Sequence, residues 1–284
     1  MRVAIYIIIP IYNRIELTIN CLASIYRSTY KNFKIVIVDD GSTDGSSNTI
    51  DKEYPEINII KGNGNWFWTK SINEGIKFAL KKVENDDVIL TLNNDTEVHE
   101  KFLEKMIYWH DKKNNSLLGA LDINIKTKKP HFGGNYCDWK NCKTTNVLET
   151  IKGEDFVGLH VANQLPGRGL LIPPSIIDKI GLFDEKKLPH YFADYEYSIR
   201  AYQNEIETYC NYDAIVYTYP EESGDFEIRS KKNLKNFYNH LFHIKGGGNL
   251  RNFTIYVINN CPKKYLVQNL LYGYSKRILG YWLK

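Results

Sequence analysis

Over its first 112 residues the chain alternates short apolar runs with stretches of helical periodicity. The runs are Val3 to Ile9, Phe33 to Val38, Ile57 to Ile60 and Val88 to Leu92; the periodic stretches between and after them are Ile15 to Ser28, Ser46 to Glu53, Thr69 to Lys82 and Glu97 to Lys112. Apolar runs of four to seven residues bounded by turn signals predict buried strands, and the intervening segments predict the crossover helices that parallel neighbours require. The pattern therefore predicts an α/β fold, a mostly parallel sheet flanked by helices. The first strand runs into Pro10-Ile11-Tyr12-Asn13-Arg14 with no glycine-rich fingerprint, which disfavours the dinucleotide-binding version of this architecture.

In an open sheet of this kind, ligands sit outside the carboxyl ends of the strands. Two of the predicted strands end in acid and amide groups: Val88 to Leu92 runs into Asn93, Asn94 and Asp95, and Phe33 to Val38 into Asp39 and Asp40, followed by Gly41 and Ser42. Asn-Asn-Asp alone reads as a turn or helix cap, because these residues favour both. A second strand delivering carboxylates to the same edge shifts the reading toward a ligand site. From Gly119 to Gln164 the pattern loosens into short strands and loops, the expected variable surface over such a site. Order returns from Gly167, with a glycine-flanked Arg168, an apolar strand, a short helix and a second helix starting near Asp194. Asp194 and Glu196 in a first helical turn are accounted for by the helix dipole alone.

At 284 residues, 43% hydrophobic and 25% charged, the chain is long enough for a full core and has the composition of a soluble protein. The first apolar run is too short to span a bilayer and lacks a signal-peptide cleavage pattern, which predicts a cytoplasmic location. Five cysteines without zinc spacing read as free thiols. The net charge of +4 is unevenly placed. No acid follows Glu227, while 11 basic residues do, leaving 26 basic against 33 acidic residues in the rest. This suggests a division into a body, residues 1–225, and a basic, aromatic-rich helical extension, residues 226–284.

Four segments in order, PIYNR, VDDGSTDG, LNNDTEV and GLFDE followed by ADYEYSIRA, resemble those of the family-2 inverting glycosyltransferases of the GT-A fold. The likeness covers roughly residues 1 to 220, and GNGNWFWTKSINEG is similar to a subgroup that includes bacterial rhamnosyl- and polysaccharide transferases. The resemblance implies transfer from a nucleotide-sugar donor, UDP- or dTDP-linked, to a saccharide or lipid-linked saccharide in surface-polysaccharide synthesis. It implies that Pro10 and Tyr12 border the base pocket and that Asp39 or Asp40 receives the base or ribose. Asn65, Trp66, Asn94 and Arg168 join them around the donor, and Asp95 binds Mg2+ or Mn2+ across the diphosphate. Asn93 stands where the family's first acid is, which lowers the expected metal affinity. Asp194 matches the general base, with Glu196 as the fallback. Ala193 replaces an acid next to the base, and with one like charge fewer Asp194 is expected to hold its proton less tightly than in relatives. Tyr217 and Tyr219 stand where relatives carry a metal-binding histidine. His190 is a minor acceptor candidate, and Arg200 reads as an ion-pair partner for Glu196.

In the extension, Val267, Leu270, Leu271, Tyr274, Ile278, Tyr281 and Trp282 follow helical spacing, with Asn269 and Lys276 assigned to the opposite side. Such a helix packs on the body or on a second subunit, or it meets an anionic inner-membrane surface. No motif supports nucleic-acid binding. The rival to the enzyme is a non-catalytic nucleotide-sugar- or glycan-binding module, suggested by Asn93 and Ala193.

Overall fold

The structure is a computed structural model that describes residues 3–84, 86–151, 156–220 and 224–283. Four strands form the parallel half of the main sheet: β1 (Ile5–Ile11), β2 (Phe33–Asp39), β3 (Asn58–Lys61) and β4 (Val88–Thr91). They are joined by α1 (Ile15–Tyr26), α2 (Ser46–Glu53) and α3 (Phe67–Leu80). Beyond β4 the sheet turns mixed, because β11 (Leu170–Ile172) runs antiparallel to both β4 and β6 (Leu117–Asn124). It continues through β12 (Thr208–Thr218), parallel to β6, to β10 (Leu159–Val161), giving the order β3-β2-β1-β4-β11-β6-β12-β10.

The isoleucine-rich β1 shows why this sheet is buried on both faces. Ile5, Ile7 and Ile9 point to one side, against Cys21, Leu22 and Ile25 of α1 and Leu103 and Met106 of α4 (Phe102–Lys112). Tyr6 and Ile8 point to the other, against Ile72 and Ile76 of α3. A period of two serving two cores requires a near-continuous apolar run. At Gly75 the helix α3 touches β1, where a Cβ would lie 2.2 Å from Ile8 Cγ2.

Two expectations change. The stretch from Glu97 does not begin a helix: Thr96–Val98 form β5, paired with the end of β12, and α4 starts only at Phe102. The β-branched Thr96 and Val98 fit a strand, and Val98 N–H donates to Ser24 Oγ. In the extension, α7 (Gly224–Ser230), α8 (Leu234–Phe242), α9 (Leu250–Asn260) and α10 (Leu266–Leu283) follow one another. In α10 Asn269, Gly273 and Tyr281 are buried and Arg277 is half-buried between them; of the predicted apolar face Leu270, Tyr274 and Tyr281 pack, whereas Val267, Leu271, Ile278 and Trp282 are exposed. Asn269, assigned to the polar side, is buried because its amide donates to the carbonyls of Trp139 and Tyr265, at 2.7 and 2.9 Å. Gly273 makes room for the Phe253 ring, whose Cζ would lie 2.0 Å from a Cβ. The five cysteines are free. No helix among the described residues is long and apolar enough to cross a membrane.

Candidate active site

The loops after β1 and β2 are knitted together at the sheet edge. Asn13 N–H donates to Ser42 Oγ, Thr43 N–H to Asn13 Oδ1 and Ile15 N–H to Asp44 Oδ2. Asn13 and Arg14 take positive φ to make this turn, and it leaves Tyr12 half exposed while Pro10 stays buried in the strand. The rim that the sequence assigned to the base is therefore built by hydrogen bonds between two loops.

The two adjacent acids at the end of β2 separate in role. Asp40 is taken up by the next loop: its Oδ1 accepts from Gly64 N–H at 2.8 Å, and its Oδ2 accepts from Trp66 and Phe67 N–H at 2.8 and 2.9 Å. These donors lead into α3, whose N-terminus has no side-chain cap of its own, and Phe67 is held at φ 53°. A carboxylate at the positive end of a helix is favourable. Among the described residues Asp39 accepts from Ser42 N–H and from the Ser47 hydroxyl, which leaves lone pairs for a ligand. Asp40→Ala should cost about 3 kcal/mol, as hydrogen bonds to a buried charge are lost together, and lower Tm by roughly 6–12 °C in a scan of the full chain.

The second acidic cluster is only partly available. Asn93 Oδ1 accepts from Trp68 Nε1 at 2.9 Å, and Asn94 Nδ2 donates to Thr18 Oγ1 at 3.0 Å. Both asparagines therefore brace the loop against α1 and α3. Trp68 lies against Gly167, where a Cβ would come within 2.1 Å of the indole, so this ring is packing rather than platform. Trp66 carries Lys70 over its ring at 5.1 Å, and Asn65 is exposed at the loop tip. Asp95 keeps one-quarter of its side chain exposed and faces Arg14 at 3.6 Å. Among the described residues no three metal-ligating side chains cluster. A single carboxylate side chain fits a cation shared with substrate phosphates and does not fit a protein cage.

Asp194 stands in the first turn of α6 (Ala193–Gln203), delivered by Phe192 in the left-handed conformation at φ 72°. Its Oδ2 accepts from Gly167 N–H at 3.1 Å and its Oδ1 from Tyr195 N–H at 2.9 Å, so each oxygen retains a free lone pair. Burial raises its pKa, partly opposed by those two N–H groups and by Arg168. Relative to an ordinary aspartate, desolvation is the larger effect. Glu196, on the same helix, is bound otherwise: Arg200 Nε and Nη2 reach its two oxygens at 2.9 and 3.1 Å. Arg200 also donates to the carbonyls of Ile180 and Leu182, which makes Glu196 part of a structural brace.

Arg168 is neither a surface residue nor free. Its Nη2 and Nε lie 2.6 and 2.9 Å from Asp122 Oδ2, and the Thr218 hydroxyl donates to Asp122 Oδ1. Asp122 had a signal in the sequence, a single acid in the apolar run LLGALDIN, but nothing near it in the chain indicated its partner. Lys245 was also missed. It arrives from the Gly-rich turn between α8 and α9, stands 5.5 Å from the Tyr12 ring centroid, and with burial pushes the pKa of His190 down to about 4. His190 is thus neutral near pH 7. Tyr219 donates to Glu97 Oε1 at 2.6 Å, a brace between β5 and the end of β12.

A mixed sheet with acids at its carboxyl edge and a half-buried aspartate on a facing helix defines the GT-A class of nucleotide-sugar transferase folds. Residues 6–158, more than half of the chain, match Glycosyl transferase family 2, and the chain belongs to that family. Over 189 residues it is 24% identical to Glycosyltransferase GlyG of Streptococcus pneumoniae, covering 57% of this chain and 61% of that protein. It is 30% identical over 196 residues to the uncharacterized glycosyltransferase RP339 of Rickettsia prowazekii, covering 67% and 56% of the two chains. The chain thus spans less than two-thirds of the length of these relatives. In fold it is similar to residues 1–349 of TarS from S. aureus in complex with UDP-GlcNAc, with a TM-score of 0.59 at 13% identity, covering 99% of this chain and 92% of that one.

Proposed function

We propose that the chain transfers a glycosyl group from a nucleoside diphosphate sugar to an acceptor hydroxyl with inversion, Asp194 acting as general base. The observation that carries this is the half-buried carboxylate of Asp194, held by two backbone N–H groups with a lone pair left on each oxygen. In this mechanism the acceptor O–H donates its proton to Asp194 as the oxygen attacks the anomeric carbon, and the glycosyl–diphosphate bond breaks on the opposite face. Asp39, at the rim beside Pro10 and Tyr12, receives the base or ribose. Lys245 stands on the same rim to meet negative charge on the donor. A Mg2+ or Mn2+ ion held by Asp95 and the diphosphate would supply charge neutralisation for the leaving group. Base catalysis and charge stabilisation act on the same transition state.

The acceptor in this reading is a saccharide or lipid-linked saccharide of a surface glycan. The rhamnosyl-type and polysaccharide assignments rest on the motif likeness alone. Peripheral attachment to a bilayer is supported by exposed Val267, Leu271, Leu279 and Trp282 near Lys263, Lys264 and Lys276, a composition suited to an anionic interface. The donor reading is tested by thermal shift with UDP, dTDP, GDP and CDP, each with and without Mg2+ or Mn2+. UDP or dTDP at ~100 times its Kd should stabilise the chain by about 2.7 kcal/mol, more strongly with the cation. Lys245→Ala should weaken that nucleotide about fivefold, on the order of 1 kcal/mol. A flat response to all four would sink the donor assignment.

A further inference from the structure

Beneath the extension lies a cavity of about 330 Å³. Its walls come from the hairpin of β8 (Asn135–Asp138) and β9 (Lys143–Asn146), from the start of α6, and from α8, α9 and α10. The volume lies within the ~300–1,000 Å³ of small-molecule sites. Its position ties it to the chemistry. Tyr195, the residue after the base, lines it, and so do Gly247 and Gly248 of the turn that carries Lys245 to the donor rim.

The lining is cationic and aromatic. Lys143, Arg229, Lys276 and Arg277 contribute positive charge, Trp139 and Tyr272 contribute rings, and among the described residues no Asp or Glu lines the cavity. Arg277 is the informative one. Its guanidinium lies 3.5 Å from the Phe253 ring centroid and 5.3 Å from that of Phe192. Among the described residues its one hydrogen bond runs from Nη1 to the Gly273 carbonyl at 3.1 Å, and its Nε is buried with no partner. Burial pushes its pKa down to about 10, and no carboxylate offsets the effect. The other two arginines beside α6 are treated differently, Arg168 meeting Asp122 and Arg200 meeting Glu196. A buried charge without a counter-ion is costly. Ring stacking offsets part of that cost and fixes the plane of the fork, leaving donors for a planar or tetrahedral anion.

We propose that this cavity is the acceptor subsite and that it takes a saccharide bearing a phosphate or carboxylate, with the anion seated on Arg277. The aromatic walls supply faces for a sugar ring, and Tyr195, next to Asp194 in the chain, forms part of the wall. This rests on the transferase reading for its role, but the anion site itself is tested separately.

The experiment uses the full chain, first titrated with UDP to score the donor site, then held saturated with UDP and titrated calorimetrically with glucose 6-phosphate, glucuronate and glucose. Both charged sugars should bind saturably and at least tenfold more tightly than glucose. Arg277→Gln should lose that tenfold preference, Arg277→Lys should keep part of it, and UDP affinity should be unchanged in both, which certifies the fold. In a second arm, sedimentation with phosphatidylglycerol vesicles that depends on Arg277 would place the anion on a lipid-linked acceptor. Binding of the sugars alone would place it on a free glycan, and either supports the site. Equal affinity for glucose and its charged forms, or charged-sugar binding untouched by Arg277→Gln, would overturn the proposal and leave Arg277 as a stacking residue. Failure of UDP to bind the unmodified chain would instead strike the donor reading, with the charged-sugar preference still scored by itself.

Discussion

Asp194→Asn should lower kcat by about 10²–10⁴, the usual worth of a positioned general base, while leaving the affinity for UDP unchanged. The amide is nearly isosteric but cannot take a proton from the acceptor hydroxyl. The pH profile gives an independent sign. Burial raises the Asp194 pKa above its ordinary value, and the base works only when ionised. Turnover should therefore fall as pH is lowered through that raised value. Glu196→Gln is the control, because its carboxylate is committed to Arg200. It should lower Tm and leave the acid limb in place. Nucleotide binding with no turnover in the unmodified chain, whatever acceptor is supplied, would favour the non-catalytic binding module.

Arg168→Gln should destabilise the chain by about 3–5 kcal/mol, because it leaves the buried Asp122 carboxylate without its counter-charge. Denaturant unfolding would measure this loss. Restoring neutrality with Asp122→Asn in the same chain should recover much of it, since the double variant has no uncompensated charge and the Thr218 hydroxyl can still donate to the amide oxygen. The substitution also reaches the base. Arg168 lowers the Asp194 pKa, so its removal should raise that pKa and move the acid limb of kcat to higher pH. A stability loss below 1 kcal/mol, with an unmoved limb, would mean that the Asp122–Arg168 pair is solvent-screened and remote from the base.

Both predictions concern residues whose partners are distant in the chain, and this marks the limit of a sequence reading. Asp40 and Asp39 are adjacent and chemically identical, and no pattern distinguishes them. The loop from Gly64 to Phe67 does, by presenting three backbone N–H groups to one and none to the other. Asp194 and Glu196 are equally suited to a first helical turn. The pairing of Glu196 with Arg200, one helical turn on, was legible in the spacing, but the approach of Gly167 to Asp194 was not. For α10 the apolar spacing pointed to a face of which Leu270, Tyr274 and Tyr281 do pack, yet Val267, Leu271, Ile278 and Trp282 stay exposed while Asn269 and Gly273 are buried. The neighbours there offer carbonyl acceptors at Trp139 and Tyr265 and a ring at Phe253, so an amide and a glycine fit better than leucine would.

By itself the sequence determined the α/β architecture, the order of strands and helices through Leu92, and the sheet edge to which Asp39, Asp40 and Asp95 are delivered. These follow from local periodicity and from turn residues, which act over a few positions and are written in the chain. The tertiary structure alone decided which acids the neighbouring loops take up, that Arg168 neutralises Asp122, that Lys245 of the extension returns to Tyr12, and that Arg277 stacks on Phe253 with no carboxylate beside it among the described residues. Those outcomes depend on side chains tens to hundreds of residues apart meeting within hydrogen-bonding or stacking distance, and on the desolvation that follows when they do.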